Sequence, residues 1–118
     1  MNAIGRLLAN AAALWVASWL LAGISYSGSW PGMLGVALVF GVVNAFIAPA
    51  LKVLSFPVQV LTLGLFTFVI NALMLMLTGW LATRVGIDFT VTGFWSALLG
   101  SLIVSVVSGV LSVLLTDD

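Results

Sequence analysis

Residues 44–57 read NAFIAPALKVLSFP and separate two long apolar parts of the chain. Within this stretch, Lys52 is one of only three Lys or Arg residues in the protein, and it lies between Pro49 and Pro57. Proline is tolerated in the first turn of a helix, but in the helix interior it removes a backbone hydrogen bond. The stretch therefore predicts a break between two helices, with the second of them beginning near residue 58.

The composition of the whole chain predicts an integral membrane protein. Of its 118 residues, 64% are hydrophobic and 5% are charged, whereas soluble domains contain about 25% charged residues. So few charged groups cannot form a polar surface around a folded core, and the solvent must be lipid. We therefore expect an all-α integral membrane protein, because a helix satisfies its backbone hydrogen bonds internally.

Four long apolar segments predict four transmembrane helices within a single membrane domain of residues 1–118. One crossing of a hydrocarbon core of roughly 30 Å takes about 20 residues. The uncharged run of residues 53–83 would make a helix of about 46 Å, which is too long for one crossing. The expected spans are about residues 5–24, 31–50, 58–82 and 94–115.

The segment between helices 2 and 3 is then short and bounded by prolines. We expect residues 49–56 to form an interfacial segment or a shallow re-entrant dip. Lys52 can extend its ammonium group to the headgroups while its aliphatic stem lies along apolar surface. Pro49, Lys52 and Pro57 are thus the predicted surface turn.

The sparse charges predict an orientation in the membrane. With four crossings, Arg6 and Lys52 share one side and Arg84 lies on the other. The positive-inside rule then places both termini in the cytoplasm, for a multi-pass protein of a bacterial cytoplasmic (inner) membrane. Aromatic residues that fall near the opposite side predict an interfacial belt there: Trp19, Tyr26, Trp30, Trp80 and Trp95.

The residue inventory argues against an enzyme. The chain has no Cys and no His, and it also has no Glu, so thiolate chemistry and most general bases are missing. We therefore expect no catalytic site, no cofactor and no metal site. The net charge of zero gives no reason to expect a nucleic-acid partner. The expected partners are the lipid bilayer and further copies of the chain, and the sequence indicates no other protein partner.

Small residues recur at helical spacing in the predicted spans. In the second span Ala37, Gly41 and Ala45 are four residues apart, and in the fourth span Ser101 and Ser108 belong to a similar stripe. Small side chains let helix backbones approach each other closely. We expect these five residues to be helix-packing positions.

Four polar residues lie at similar depths in the four predicted spans. Counted from the outer end of each span, the depths of Asn10, Asn44, Asn71 and Ser105 agree to within about 5 Å. An amide without a partner in hydrocarbon costs several kcal/mol. These residues should therefore face one another or a water-filled path. They form either an interhelical hydrogen-bonded layer or a polar constriction.

Two stretches of the chain resemble a known family. They are VVNAFIAPALKVLSFPVQVLTLGLFTFVINALML (42–75) and GFWSALLGSLIVSVVS (93–108). The features that carry the resemblance are N-A-x-I-x-P at 44–49, the segment from Lys52 to Pro57, L-T-L-G-L-F at 61–66, I-N-A-L at 70–73 and G-F-W at 93–95. From about residue 33 to 110 the chain is similar to the four-TM phage holin family (superfamily IV), which are small bacterial membrane proteins.

The resemblance implies a holin-like inner-membrane protein. Holins accumulate and oligomerise in the inner membrane, where they open lesions that release a cell-wall hydrolase. One alternative is a structural or accessory membrane protein that associates with itself or with a larger complex. A second alternative is a small channel or transporter. Proton-coupled cation export is disfavoured because it needs a membrane-embedded carboxylate, and Asp88 falls in a predicted loop.

Overall fold

The protein folds into six helices and two short strands over the described residues, which are 2–62 and 64–115 of this computed structural model. In chain order the elements are α1 (Ala3–Leu20), β1 (Ile24–Tyr26), α2 (Trp30–Phe46), α3 (Ala48–Leu54), α4 (Phe56–Leu61), α5 (Phe66–Arg84), β2 (Phe89–Val91) and α6 (Gly93–Leu115). The expectation that both termini lie on one side concerns Met1 and residues 116–118, which are outside the described residues. Leu63, in the motif at 61–66, is also outside them.

Four helical segments are long and apolar enough to cross a membrane, which confirms the predicted all-α architecture with four spans. They are Ala3–Leu20, Trp30–Leu54, Phe66–Arg84 and Gly93–Leu114. Helix α1 packs against α2 and α6, and α5 packs against the same two neighbours. The four long helices therefore form a ring in the order α1, α2, α5, α6.

The third long helix begins later than the sequence predicts. It was expected near residue 58, but α5 begins at Phe66, and Pro57 lies instead in the first turn of the short helix α4. Gly64 causes the difference, because its φ of +87° lies in the left-handed region, where a residue with a side chain is strained. The chain changes direction there and can continue into α5.

Helices α2, α3 and α4 are one helical run with two bends. The backbone hydrogen bonds continue through both bends: Ile47 N–H donates to the Val43 carbonyl at 2.9 Å, and Ser55 N–H donates to the Leu51 carbonyl at 2.9 Å. Each bend lies two residues before a proline, at Ile47 and at Ser55. Proline cannot bond to the carbonyl four residues earlier, and its ring pushes that carbonyl away.

A two-stranded antiparallel ribbon closes one end of the ring. Strand β1 pairs with β2 in the register Ile24–Val91, Ser25–Thr90 and Tyr26–Phe89. The hydroxyl groups of Ser25 and Thr90 share a hydrogen bond of 2.6 Å across the pair. The predicted spans left residues 25–30 and 83–93 as connections without strands, so the ribbon is a correction to that expectation.

The main apolar core lies at the ribbon end of the ring. Its fully buried side chains come from all four long helices and from both strands, and include Leu14, Met33, Val36, Leu75, Val104, Ile24 and Phe89. A smaller cluster joins α3 to the α2–α5 pair through Val43, Ala48, Ile70 and Met74. The end of the ring away from the ribbon is therefore less completely filled by apolar side chains.

Tryptophan side chains surround the ribbon end. Trp19 at the end of α1, Trp30 at the start of α2, Trp80 on α5 and Trp95 at the start of α6 are all exposed. Exposed tryptophans at one level are typical of a membrane–water interface. The ribbon end of the ring therefore lies at one membrane surface, and the bends of the α2–α4 run lie towards the other.

Candidate functional site: a polar cavity between the four long helices

A cavity of about 210 Å³ lies between the four long helices. Every one of these helices contributes a polar side chain to its wall. The lining residues are Asn10 of α1, Phe40 and Asn44 of α2, Asn71 of α5, and Ser101, Val104, Ser105 and Ser108 of α6. The structure therefore brings the four residues of the predicted polar layer to one cavity, together with Ser101 and Ser108, which were expected only as packing positions.

Asn10 is held by a hydrogen bond between helices. The Ser108 hydroxyl on α6 donates to Oδ1 of Asn10 on α1 at 3.0 Å. The predicted polar layer contained Asn10 and Ser105 but not Ser108, which lies one turn from Ser105 on α6. Ser105 also lines the cavity, but much of its surface is exposed.

Asn44 satisfies part of its side chain within its own helix. Its Nδ2 donates to the Phe40 carbonyl, one turn earlier, at 2.7 Å. Local bonds of this kind replace bonds to a neighbouring helix. The Oδ1 atom of Asn44 is left as a hydrogen-bond acceptor, so Asn44 does not make the interhelical bond that a closed layer would need.

Asn71 has no side-chain hydrogen-bond partner within residues 2–62 and 64–115. It is partly buried, and one turn further along α5 Leu75 is fully buried in the main core. The amide of Asn71 can both donate and accept. It therefore offers unused hydrogen-bonding capacity to whatever occupies the cavity.

The cavity wall contains six polar side chains but no charged one. Three amides and three hydroxyl groups lie beside one aromatic and one aliphatic side chain. A cavity of this size has room for several water molecules, and its amides and hydroxyls supply the two to four partners that an ordered water needs. The arrangement suits water or a small neutral solute better than an ion that would need a counter-charge.

The cavity is closed on the side of the ribbon. Leu14 lies one turn beyond Asn10, and Leu75 lies one turn beyond Asn71; both are completely buried. Val104 belongs both to the cavity wall and to the main core. A single subunit in this conformation therefore contains a polar recess that is open on one side, rather than a continuous path across the membrane.

The predicted packing stripe is only partly used within one subunit. Ala37 and Ser101 are buried, and Ser108 bonds to Asn10. In contrast, a Cβ atom added at Gly41 would meet nothing within 4 Å, and Ala45 is exposed. In the described part of the chain, α2 thus has open space beside Gly41 and an exposed side chain at Ala45, although Ala37 on the same stripe is buried.

One tightly packed position is Gly100, a glycine outside the predicted packing stripe. A Cβ atom added at Gly100 on α6 would overlap Cδ1 of Ile24 and come within 3.0 Å of Cδ2 of Leu75. Gly100 therefore lets the ribbon and α5 approach α6. The signal in the sequence was a glycine inside a long apolar helix. Because glycine weakens a helix interior, its presence there indicates a position where close packing requires it.

The predicted surface turn is divided between the two short helices. Pro49 and Pro57 lie in the first turns of α3 and α4. Lys52 is exposed in the last turn of α3. No group of three His, Cys, Asp or Glu residues that could hold a metal ion is found among the residues that the structure describes.

Comparison with known proteins identifies relatives over almost the whole chain. The family described as "Mycobacterial 4 TMS phage holin, superfamily IV" matches residues 1–110, which confirms the resemblance seen in the sequence. An uncharacterized protein of Streptomyces coelicolor is 50% identical over 121 residues, which cover 98% of this chain and 97% of that protein. The uncharacterized membrane protein YvlD of Bacillus subtilis is 43% identical over 70 residues, which cover 59% of this chain and 56% of YvlD. No solved structure is significantly similar.

Proposed function

Because this chain belongs to the family of four-span phage holins of superfamily IV, which is not an enzyme family, we propose that it permeabilises the bacterial cytoplasmic membrane by self-association. The observation that supports this function is the polar cavity between the four long helices, where no residue that the structure describes forms a hydrogen bond with the side chain of Asn71. An unpaired amide surrounded by hydrocarbon costs several kcal/mol. In the proposed function this cost is avoided because the cavity holds water.

Self-association would extend the cavity into a path. The buried core around Leu14 and Leu75 closes the ribbon side of one subunit, so a path needs either neighbouring subunits or a rearranged ring. Small residues with open space beside them provide a contact surface, because small side chains permit close approach of helices. We propose that Gly41 and Ala45 on α2 have this role between subunits.

The orientation is part of the proposal. Arg6 and Lys52 lie towards the end of the ring away from the tryptophans. Arg84 is the last residue of α5, at the same end of the ring as the tryptophans. The positive-inside rule favours the cytoplasm for the side with two positive charges. Both ends of the chain would then be cytoplasmic.

Induced expression in bacteria tests the proposed function. Membrane potential, followed with a voltage-sensitive dye, should collapse in cells that express the wild-type protein at high level. The double variant Asn44→Leu with Asn71→Leu should preserve the potential, because it makes the cavity apolar. A matched control is Val42→Leu with Phe68→Leu, which changes exposed positions on the same two helices and should still depolarise the cells. Normal potential and growth with abundant wild-type protein would contradict the proposal.

A second candidate is a narrow channel within one subunit. It is favoured by the position of the cavity, whose lining comes from four helices of the same chain. Proteoliposomes distinguish the two candidates: a self-associated lesion releases large fluorescent dyes, whereas a one-subunit channel passes only small solutes such as water or glycerol. The oligomeric state in native nanodiscs gives an independent measure, with a monomer expected for the channel.

A further inference from the structure

The two short helices α3 and α4, which we call the arm (residues 48–61), carry an exposed apolar surface. The arm is fixed to the ring at its beginning, where Ala48 is buried against Ile70 and Met74 of α5. Leu51 also packs against this cluster, but beyond it the large apolar side chains of the arm are exposed, with Leu54 at 78% and Leu61 at 83% of their surface. Helix α4 has no buried residue at all.

The arm has almost no polar side that could face water. Gln59 is the polar residue of α4, and it accepts a hydrogen bond of 3.0 Å from the Thr67 hydroxyl at the start of α5. Its side chain is therefore directed towards the ring. Helix α4 continues the helical run of α2 and α3, but none of its 6 residues is buried, and most helical stability in water comes from packing of an apolar face. Another apolar environment must stabilise the arm.

The dimensions of the molecule indicate that the arm extends sideways. The protein measures 42 × 38 × 24 Å. Four helices of about 10 Å diameter packed in a ring are about 20–25 Å wide, which fits the shortest dimension. The long helices can run along only one of the two longer dimensions. The other dimension, of at least 38 Å, then exceeds the width of the ring by about 14 Å. A straight continuation of α2 would instead give about 46 Å from Trp30 to Leu61, more than the longest of these dimensions.

The arm leaves the ring at the depth of a charged residue. Along α2, Phe46 lies about 24 Å from Trp30, and along α1, Arg6 lies about 20 Å from Trp19. Both tryptophans are exposed at the same end of the ring. The guanidinium of Arg6 has to reach headgroups or water, so this depth is close to the boundary between acyl chains and headgroups.

We propose that the arm lies flat in this boundary, in the leaflet opposite the tryptophans, as a lipid-binding element. Its exposed apolar side chains contact the ends of the acyl chains nearest the headgroups, as in interfacial helices. Lys52, the one charged residue of the arm, lies beside the headgroups and binds their phosphate oxygens. Anionic lipids are the preferred partners, because a cationic side chain near the surface is attracted to their negative potential.

Spin labels can measure the depth of the arm directly, because the chain has no native cysteine. Single cysteines at Val53, Leu54, Val60 and Leu61 would each carry a nitroxide in vesicles of phosphatidylcholine and phosphatidylglycerol. Relative accessibility to oxygen and to a water-soluble nickel complex reports the depth. We expect the four depths to agree to within about 5 Å, at the level of the headgroup boundary. A water-exposed arm, or a depth that increases steadily from Val53 to Leu61 as in a re-entrant hairpin, would overturn the proposal.

Variants of Lys52 test the choice of lipid. With a nitroxide at Leu54, Lys52→Glu should raise accessibility to the nickel complex in vesicles that contain phosphatidylglycerol. Lys52→Arg should behave as the wild type there, and all three proteins should agree in pure phosphatidylcholine. A label at Leu38, which is exposed on α2, should report an unchanged depth and shows that the ring is intact. Equal accessibility of the three proteins in anionic vesicles would overturn the role of Lys52.

Discussion

Ser108 on α6 and Asn10 on α1 are joined by a hydrogen bond of 3.0 Å beside the polar cavity. The bond connects the first and last long helices of the chain at a depth where lipid surrounds the ring. The same bond uses one acceptor position on Oδ1 of Asn10, one of the three cavity amides. It therefore stabilises the ring and limits how polar the cavity is.

A double-mutant cycle should detect this bond. We expect Asn10→Ala and Ser108→Ala to be coupled by about 0.6 kcal/mol, and by no more than about 2 kcal/mol, in the free energy of unfolding in bicelles. The cycle of Asn10→Ala with Ser105→Ala is the control, because Ser105 lines the same cavity without bonding to Asn10. Equal coupling in both cycles would show that the contact between Asn10 and Ser108 has no special role.

Asn71→Leu should not destabilise the protein. No described residue bonds to the Asn71 amide, so the substitution breaks no hydrogen bond between described residues and adds apolar contacts to the cavity wall. The free energy of unfolding in bicelles should stay the same or rise, even though the variant contributes to loss of permeation in cells. A loss of more than about 1 kcal/mol would indicate that Asn71 has a protein partner in the membrane.

Gly100→Ala should destabilise the fold by about 1–3 kcal/mol, because the new methyl group overlaps Ile24 in a packed core. Ile24→Val removes the Cδ1 atom that causes the overlap, so the double variant should recover part of the loss. Gly109→Ala on the same helix is the control, since its Cβ would meet nothing within 4 Å. Thermal unfolding in detergent compares the four proteins, and equal losses for Gly100→Ala and Gly109→Ala would contradict the packing described.

The bends at Ile47 and Ser55 should depend on the two prolines. Nitroxides at Leu38 and Leu61 report the end-to-end distance of this run by pulsed electron resonance. A straight helix would separate these residues by about 34 Å, and the wild-type distance should be clearly shorter. Pro49→Ala together with Pro57→Ala restores two backbone donors and should move the distance towards the straight value. An unchanged distance would mean that packing of α3 on α5, rather than proline, sets the bends.

The four long helices were predictable because each is a long apolar segment limited by a charge, a glycine or a proline. The ribbon was not, since ISY at 24–26 and FTV at 89–91 are too short to show a strand pattern, and their pairing joins distant parts of the chain. The predicted start of α5 was wrong because proline and glycine both commonly interrupt helices. Pro57 and Gly64 were therefore equally good candidates for the break before α5, and only the structure shows that the helix begins after Gly64.

The candidate site was partly predictable from depth alone. Counting residues from the outer ends of the spans selected Asn10, Asn44, Asn71 and Ser105, all of which line the cavity. However, the depth of a residue does not show in which direction around the helix axis its side chain points. It therefore could not show that Ser108 rather than Ser105 bonds to Asn10, or that Asn44 bonds within its own helix.

Water access to the cavity in a lipid bilayer is the most direct test of the central claim. Asn71→Cys and Leu75→Cys each place one thiol, one turn apart on α5, in a chain without native cysteine. A small, charged, membrane-impermeant thiosulfonate added to the Arg6 side should modify the cysteine at position 71 quickly and the one at position 75 slowly or not at all. If both thiols stay unmodified, or if they react at the same rate, the cavity is not a water-filled chamber closed by the apolar core, and the proposed function loses its main support.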